Sequence, residues 1–483
     1  MHPTTVLSII IGYFAVLLVI SYITGRRATN LTFFLGNRQS PWYIVAFGMI
    51  SATLSGVTFI SVPGYVMNSQ FSYMQIVVGY LLGYAVIAHI LMPMYYRLNL
   101  TSIYTYLEKR FGKSSYKTGA SFFLLSRTIG AAFRLFLVAN VLQITLFNQW
   151  NIPFEATVVL TILLIWLYTF KGGIRTIIWT DSLQTLFMLS AAGVTVYLIG
   201  HQMELSFSGI VETVAESKHS KIFFWENWNG EFHFIKQFLS GAFITIVMTG
   251  LDQDMMQKNL SCRNIKEAQK NMYWFSIALI PVNLLFMSLG ALLIIYAKKE
   301  GIPLPDQSDD LFPIIATQGY LAPVAGIFFL IGLVAAAYSS ADSALTALTT
   351  SFTMDILDSK GMAEQPLKRR RKKVHVGVSI VLVIIILIFN AVNDQSVISA
   401  LFTMAGYTYG PLLGLYAFGL FTRYQIHDKW VPLVAILSPI LSGIISYNSQ
   451  AWFNGYEFGF ELLIVNGLIT LAGLFMLSKR SRE

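Results

Sequence analysis

Apolar runs of about 20 residues or more recur along this chain and constrain its fold more than any other feature. When helical, such a run crosses the ~30 Å hydrocarbon core of a bilayer. In that core only helices and closed barrels satisfy their own backbone polar groups. Charged residues make up 12% of the 483-residue chain, about half of the roughly 25% typical of soluble domains. The sequence therefore predicts an all-α integral membrane protein.

Thirteen runs are long enough to be transmembrane helices. They cover residues 5–24, 42–66, 73–95, 118–148, 154–170, 177–200, 234–257, 271–297, 312–353, 375–393, 397–420, 430–447 and 459–478. The first run has no basic segment before it and is followed by Arg26 and Arg27, so we interpret it as a retained helix and not as a signal peptide. Spans two, four and nine lie in stretches longer than one crossing needs, which predicts tilt or an added helix outside the membrane.

The basic residues are divided unequally between the two sides of the membrane. With the N-terminus outside, the cytoplasmic segments contain 26 of the 33 lysines and arginines, and the outer segments contain 5. This bias predicts an outer N-terminus and a cytoplasmic C-terminus. The densest run, 368–373, falls in a cytoplasmic loop, where its composition favours a topogenic, lipid-facing role over nucleic-acid binding.

Spans two and seven contain polar, glycine-bearing interruptions. Those of span two lie at residues 51–58 and 63–64, and those of span seven at 240–241 and 249–254. Spans two and seven are separated by five positions in the order of spans. Interruptions at corresponding places in both predict discontinuous helices in two repeats of five spans. Backbone carbonyls freed at such breaks bind Na⁺, and half-helix N-termini and hydroxyls suit a polar solute.

Span nine carries small and polar residues on one face. Ala336, Ser339, Ser340 and Ser343 follow the i, i+3, i+4, i+7 spacing of a helix face, and Asp342 borders it. The serines alone fit either a close helix-packing seam or a ligand-binding face. A carboxylate in so apolar a helix needs a cation, a donor or water. The acid therefore favours a cation site.

Five further charged residues lie within or at the edges of spans. Arg127 and Arg134 share a face of span four, where they either pair with a structural acid or bind a substrate carboxylate. Asp181 lies just inside span six, where an ion pair with the arginine six residues before it is one interpretation. Asp252 and Asp254 lie near the inner end of span seven, where we expect them to be solvated.

The sequence shows no catalytic constellation. Cys262 is the single cysteine, and the seven histidines lack the spacing of a metal site. A glycine-rich phosphate loop and a GxSxG nucleophile motif are both missing. A membrane enzyme or sensor is therefore only a remote alternative, and no organic cofactor is expected.

Four stretches together resemble the sodium/solute symporter family, and the likeness extends from Thr5 to about Arg423. The stretches are 52–63, 172–184, 253–258 and 336–340. The resemblance implies the LeuT-type fold, a 5+5 inverted repeat with broken second and seventh helices. It divides the chain into an extra N-terminal helix (1–30), a first repeat (31–205), a second repeat (206–425) and two C-terminal helices (426–483).

The resemblance also implies a conserved sodium site between spans two and nine. Its ligands would be the carbonyl oxygens of Ser51, Leu54 and Ala336 and the hydroxyls of Ser339 and Ser340. All five are oxygens, as a hard cation such as Na⁺ prefers.

The sialic-acid branch of the family has a second sodium site. It maps here to Asp181, Ser339, Asp342 and Ser343. Asp342 stands where that branch has serine, so the site would carry one more negative charge. The chain is therefore expected to bind one or two Na⁺ ions.

The substrate side also resembles the sialic-acid branch. Its three hydroxyls on the broken second span match Thr53, Ser55 and Thr58. On span three, Tyr73 falls at an aromatic position of that branch, and Gln75 lies about half a turn from its glutamine. These residues indicate a polar organic solute.

The arginine that binds the substrate carboxylate in that branch does not match directly. Its position falls on Gly130, with Arg127 one turn before it and Arg134 one turn after it. Gln253, in the matching stretch of span seven, completes the candidate substrate residues.

Together these features predict a Na⁺-coupled symporter of the cell inner membrane. It would import a small polar organic solute, with sialic acid or another sugar acid favoured. The alternatives are a neutral sugar of the glucose, galactose or inositol type and a monocarboxylate. Na⁺, the small-molecule substrate and the lipid bilayer are the expected partners, nucleic acid is not, and the oligomeric state, monomer included, is left open.

Overall fold

A computed structural model describes residues 3–25, 41–98, 103–169, 174–359 and 362–479. Within these ranges, the side chains of 51–52, 166–169, 174–181 and 337–342, and several in 3–25, lie outside the description. Most of the described chain is helical. Two two-residue strands, Gln425–Ile426 and Ser478–Lys479, pair antiparallel beside the last helix, which the all-α prediction did not include.

Helices occupy each of the thirteen predicted spans. In chain order they are Pro3–Gly25; Trp42–Thr53 with Val57–Ser61 and Val62–Ser69; Tyr73–Leu98; Lys113–Thr145; Phe154–Thr169; Ile174–Gln202; Phe234–Gly250 with Gln253–Leu260; Ile265–Lys299; Pro323–Ser351; Glu364–Val392; Val397–Phe421; Val431–Tyr447; and Leu462–Met476. Among the described helices, six are long and apolar enough to cross a membrane, and the bent pair of span seven makes a seventh. The helical membrane fold is thus confirmed, while the number of crossings stays a prediction.

Span nine begins later than predicted. A separate short helix, Leu311–Thr317, precedes it, and the two are divided at Gly319, whose φ of +94° ends helical geometry. Pro323 then opens the long helix at its first position, where a missing N–H costs nothing. The long apolar stretch therefore contains an added helix before the span.

Spans two and seven are both broken, as the sequence predicts. The first helix of span two ends at Thr53, and Leu54 has a non-helical ψ of 83°. In span seven the two helices meet at a bend of 71°. The backbone of each break lies inside the protein, since Leu54 and Leu251 are both 1% exposed.

Spans three and seven approach each other closely through glycine. A Cβ on Gly79 would overlap the carbonyl of Phe238, and one on Gly241 would overlap the carbonyl of Ile76. Small residues at such positions allow helix backbones to pack against each other in a membrane. This contact fixes the first helix of span seven, Phe234–Gly250, against span three.

The second half of span two is held in the same way. Gly64 leaves room for the carbonyl of Ser308, and Gly290 of span eight leaves room for the carbonyl of Pro63. Phe59, in the same half of span two, is fully buried and stacks on Phe329 of span nine at 5.5 Å between ring centroids. Span two is therefore packed against spans eight and nine just beyond its break.

Candidate sodium and substrate site

A cavity of about 90 Å³ lies at the break in span two. Its walls come from spans two, three, four, seven, eight and eleven. Six of the predicted substrate residues line it: Thr53, Ser55, Thr58, Tyr73, Arg127 and Arg134. The fold therefore brings together side chains from three separate spans that the sequence assigned to one site.

The break in span two is stabilised by one of its own hydroxyls. The Ser55 Oγ accepts a hydrogen bond from the Val57 N–H (3.3 Å), which begins the second helix. The Thr53 hydroxyl is buried and has no hydrogen-bond partner among the described residues. Since the last carbonyls of a helix lack intrahelical partners, the helix end near Ser51 and Leu54 offers oxygens to a ligand.

The break in span seven is different, because tyrosines use its free carbonyls. The Tyr95 hydroxyl donates to the Gly250 carbonyl (2.9 Å), and the Tyr104 hydroxyl donates to the Leu251 carbonyl (2.8 Å). Asp252 caps the following helix by accepting from the Met255 N–H (3.0 Å). The protein's own side chains therefore provide hydrogen-bond partners for the backbone groups at this break.

The face of span nine predicted to bind Na⁺ turns toward span two. A Cβ on Gly332 would lie 2.8 Å from the Phe59 ring and 3.0 Å from Cβ of Ala191 in span six. Ala336 is buried and lies one turn further along that face. The side chains of Ser339 and Ser340 lie outside the described residues.

Ser343 continues the same face of span nine. It is 4% exposed, and its hydroxyl has no hydrogen-bond partner among the described residues. A buried hydroxyl without a partner is costly, so it fits a ligand oxygen. The side chains of its predicted companions in a second sodium site, Asp181 and Asp342, lie outside the described residues.

Arg127 is held by two carboxylates. Its guanidinium lies 3.3 Å from Asp252 and 3.3 Å from Asp254, and Lys258 lies 3.7 Å from Asp254. The side chain of Asp252 is fully buried, so the prediction that this acid is solvated was wrong. The structure therefore assigns Arg127 to an ion-pair cluster at the bend of span seven.

Arg134 has no ion-pair partner within the described ranges. Its Nη1 lies 3.8 Å from the point where a Cβ of Gly130 would stand. Helical side chains point back toward the N-terminus, so the guanidinium lies over Gly130. A positive charge therefore lies beside Gly130, the residue that stands where the family resemblance implies an arginine.

Two predicted substrate residues lie away from the cavity. Gln75 is fully buried; its amide donates to the Phe232 carbonyl (3.0 Å) and accepts from the Phe224 N–H (3.1 Å). Gln253 accepts from the Ile103 N–H (2.8 Å). Both side chains fix neighbouring loops, and this corrects their assignment to the substrate.

Several cavity residues were absent from the sequence prediction. They are Tyr80, Tyr84, Thr245, Thr249 and Asn283 among the polar members. Tyr80 and Tyr84 follow Tyr73 by seven and eleven residues, a spacing that places all three on one helix face. That spacing was a usable signal, whereas no local signal identifies Asn283 in span eight.

An aromatic pair separates the cavity from a larger vestibule. Tyr73 and Phe402 stack with ring centroids 6.2 Å apart and an interplanar angle of 17°. Phe402 lines both spaces, and the vestibule beyond it has a volume of about 450 Å³. Glu231, Asp306 and Asp394 line the vestibule. The structure thus has a wide acidic entrance and a small inner cavity with an aromatic lid between them.

The fold and the site together define a secondary transporter with a broken-helix binding site at its centre. The family model of the sodium:solute symporter family matches residues 33–424. The chain belongs to that family, and Na⁺ is its coupling ion.

Curated relatives match along nearly the whole chain. The sodium/sialic acid symporter SiaT of Proteus mirabilis (strain HI4320) is 25% identical over 98% of this chain and 96% of its own length. The sodium/sialic acid symporter NanT of Aliivibrio fischeri (strain ATCC 700601 / ES114) is 25% identical over 94% of this chain and 90% of its own.

Solved structures share the fold. A substrate-bound, outward-open Na⁺-coupled sialic acid symporter has a TM-score of 0.79 at 22% identity, and 98% of each chain is covered. Mhp1, a nucleobase-cation-symport-1 family transporter, has a TM-score of 0.58 at 16% identity, with 91% of this chain and 93% of Mhp1 covered. These likenesses confirm the predicted LeuT-type fold.

Proposed function

We propose that this symporter imports sialic acid or another sugar acid, and that Arg134 binds the substrate carboxylate. The observation that carries the proposal is the Arg134 guanidinium, which lines the central cavity without an acidic partner among the described residues. Arginine forms strong, bidentate hydrogen bonds with carboxylates. The hydroxyls of Thr53, Ser55 and Thr58 face the same space and suit the hydroxyl groups of a sugar.

Sodium binds first in this mechanism, at the helix end of span two and the facing surface of span nine. The carbonyls of Ser51, Leu54 and Ala336 and the hydroxyls of Ser339 and Ser340 form the conserved site. The ion holds the two spans together and completes the substrate cavity. The two repeats, 31–205 and 206–425, then rearrange to open the other side.

The vestibule faces the outside in this proposal. The lysine and arginine distribution favours an outer N-terminus and a cytoplasmic C-terminus. The loops that line the vestibule, at 231–232, 306–308, 394–396 and 458–460, then lie on the outer side. Tyr73 and Phe402 would close the cavity toward that side after substrate has entered.

A neutral sugar is the second candidate. Three carboxylates line the vestibule, and a negative entrance repels an anionic substrate while it concentrates Na⁺. A neutral sugar would depend on the cavity hydroxyls and on Asn283, each hydrogen bond contributing about 0.5–1.5 kcal/mol.

Binding to an Arg134→Gln variant separates the two candidates. Loss of one partner of a buried charged pair costs about 2–5 kcal/mol, so we expect sialic acid to bind at least about thirtyfold more weakly. Isothermal titration in saturating Na⁺ measures this, with glucose as the neutral ligand. The control is Thr128→Val on the same helix, because the Thr128 hydroxyl donates to the Leu124 carbonyl and not to the cavity. Unchanged sialic acid binding by Arg134→Gln would contradict the anionic proposal.

The sodium site is tested by Ser340→Ala and Ser339→Ala. Each change removes one proposed oxygen ligand from the ion. We expect a higher Na⁺ concentration for half-maximal uptake in proteoliposomes, with unchanged protein yield. Ser442→Ala is a matched control, because its hydroxyl bonds the Ser438 carbonyl in span twelve. If both span-nine variants keep the wild-type Na⁺ dependence, the site is wrongly assigned.

A further inference from the structure

An apolar groove lies between spans five and ten on the side of the helix bundle. Its volume is about 420 Å³. The side chains that form its walls are aliphatic and mostly exposed: Val159, Ile162, Leu163, Val376, Ile380 and Ile384. Span ten is poorly covered by protein, since only 22% of its most apolar stretch is buried. The groove therefore faces the hydrocarbon of the bilayer.

The groove offers its occupant almost no hydrogen bonding. Ser379 contributes the one hydroxyl of its lining, and that hydroxyl donates to the His375 carbonyl (2.9 Å). An occupant must therefore be apolar along this length. Between Val376 and Ile384 the helix rises about 12 Å, which matches a good part of an acyl chain in one leaflet.

A basic surface continues the groove along the same helix. Arg369, Lys372 and Lys373 are exposed and precede Val376 by seven, four and three residues. At 100° per residue these spacings place them on the groove face of the helix, about 5–10 Å along its axis. Along this helix, the apolar groove thus follows directly after the three basic residues.

Two of the three remaining members of the basic run, Arg370 and Arg371, face elsewhere. Arg370 donates from Nη1 to the Ser359 hydroxyl (3.0 Å). Arg371 is five residues before Val376, which places it on the far side of the helix. The charges of the run are therefore divided, and one group lies above the groove.

We propose that this surface is a specific binding site for an anionic glycerophospholipid. One acyl chain lies in the groove between spans five and ten, and the phosphate contacts Arg369, Lys372 and Lys373. The order of the parts matches the lipid: an anionic head at the cationic end and a hydrocarbon tail along the apolar wall. A topogenic run alone needs neither a groove nor a common face.

Native mass spectrometry of the full chain tests the charge contacts. Dioleoyl phosphatidylglycerol and dioleoyl phosphatidylcholine, which share acyl chains, are titrated onto the delipidated protein. A basic residue near an anionic lipid surface contributes about fivefold in affinity. For R369Q/K372Q/K373Q we expect at least about a tenfold weaker binding of phosphatidylglycerol. The charge-matched control R263Q/K266Q/R371Q removes three exposed basic residues that do not line the groove, and it should bind phosphatidylglycerol like wild type.

A second variant tests the groove and keeps every charge. Ile380→Trp fills the groove and should reduce retention of both lipids. Ile388→Trp is its control, because Ile388 is equally exposed on the same helix (57% against 55%) but does not line the groove. Wild-type preference for phosphatidylglycerol in R369Q/K372Q/K373Q, or wild-type lipid retention in Ile380→Trp, would overturn the proposal.

Discussion

Arg127 and Arg134 are seven residues apart on one helix face, and yet their surroundings differ. Arg127 lies between two carboxylates at the bend of span seven. Arg134 lies over Gly130 at the wall of the cavity. The sequence predicts the shared face but leaves open which arginine is structural, because the acids that decide this come from another span. Their roles are therefore expected to separate on mutation.

Arg127→Ala should mainly reduce stability. The change leaves the fully buried Asp252 carboxylate without its cation, and breaking one side of a buried ion pair costs about 3–5 kcal/mol. We expect a lower thermal unfolding midpoint in detergent than for Arg134→Ala. The double variant Arg127→Ala/Asp252→Asn should recover part of the loss, since it removes the uncompensated charge. Equal midpoints for the two single arginine variants would contradict this division.

At the scale of helices, the breaks in spans two and seven were predictable because glycines and short polar residues interrupt apolar runs. The partners of polar side chains were not. Gln75 and Gln253 bind backbone groups 149 to 157 residues away in sequence. Local sequence shows that a glutamine in an apolar span needs a partner. It does not show whether that partner is a substrate or a distant loop.

The contact between spans three and seven gives a test at this scale. Gly241→Ala places a methyl group against the Ile76 carbonyl, which must shift. Overpacking of this kind typically costs about 1–3 kcal/mol. We expect a lower unfolding midpoint and weaker substrate binding, because span seven lines the cavity. Gly193→Ala in span six is the control, since a Cβ there meets nothing within 4 Å; an equal effect of both changes would refute the close-packing argument.

For the molecule as a whole, the loop before span nine connects separate helices. Asp309 accepts from the Val397 N–H (2.8 Å) at the start of span eleven, and Asp310 accepts from the Asn140 amide of span four (2.9 Å). Asp309 lies outside the spans and is 7% exposed. Burial raises the pKa of its carboxyl from 3.8 to about 6, and the neighbouring Asp310 adds to this.

This raised pKa predicts how stability depends on pH. Because the folded-state pKa is above the unfolded value, the contribution to stability is fully present below about pH 4 and is lost as pH rises through 6. Asp309→Asn keeps an oxygen for the Val397 N–H and removes the buried charge. It should therefore unfold at a higher temperature than wild type at pH 7.5, and the difference should shrink by pH 5. The exposed neighbour Asp306→Asn serves as the control; a pH-independent difference would argue against a titrating Asp309.

The free carbonyls at the two helix breaks have different kinds of partner, and this difference bears on how such transporters diverge in evolution. At span seven, the hydroxyls of Tyr95 and Tyr104 donate permanent hydrogen bonds to the free carbonyls. At span two, the proposed partner of the free carbonyls is an ion that dissociates. A lineage that acquired a fixed hydroxyl or amino group beside Leu54 would hold spans two and nine together without sodium. Its descendants would be facilitators that equilibrate the solute and no longer accumulate it. In this architecture, active uptake and passive exchange are thus separated by few substitutions, all near one carbonyl.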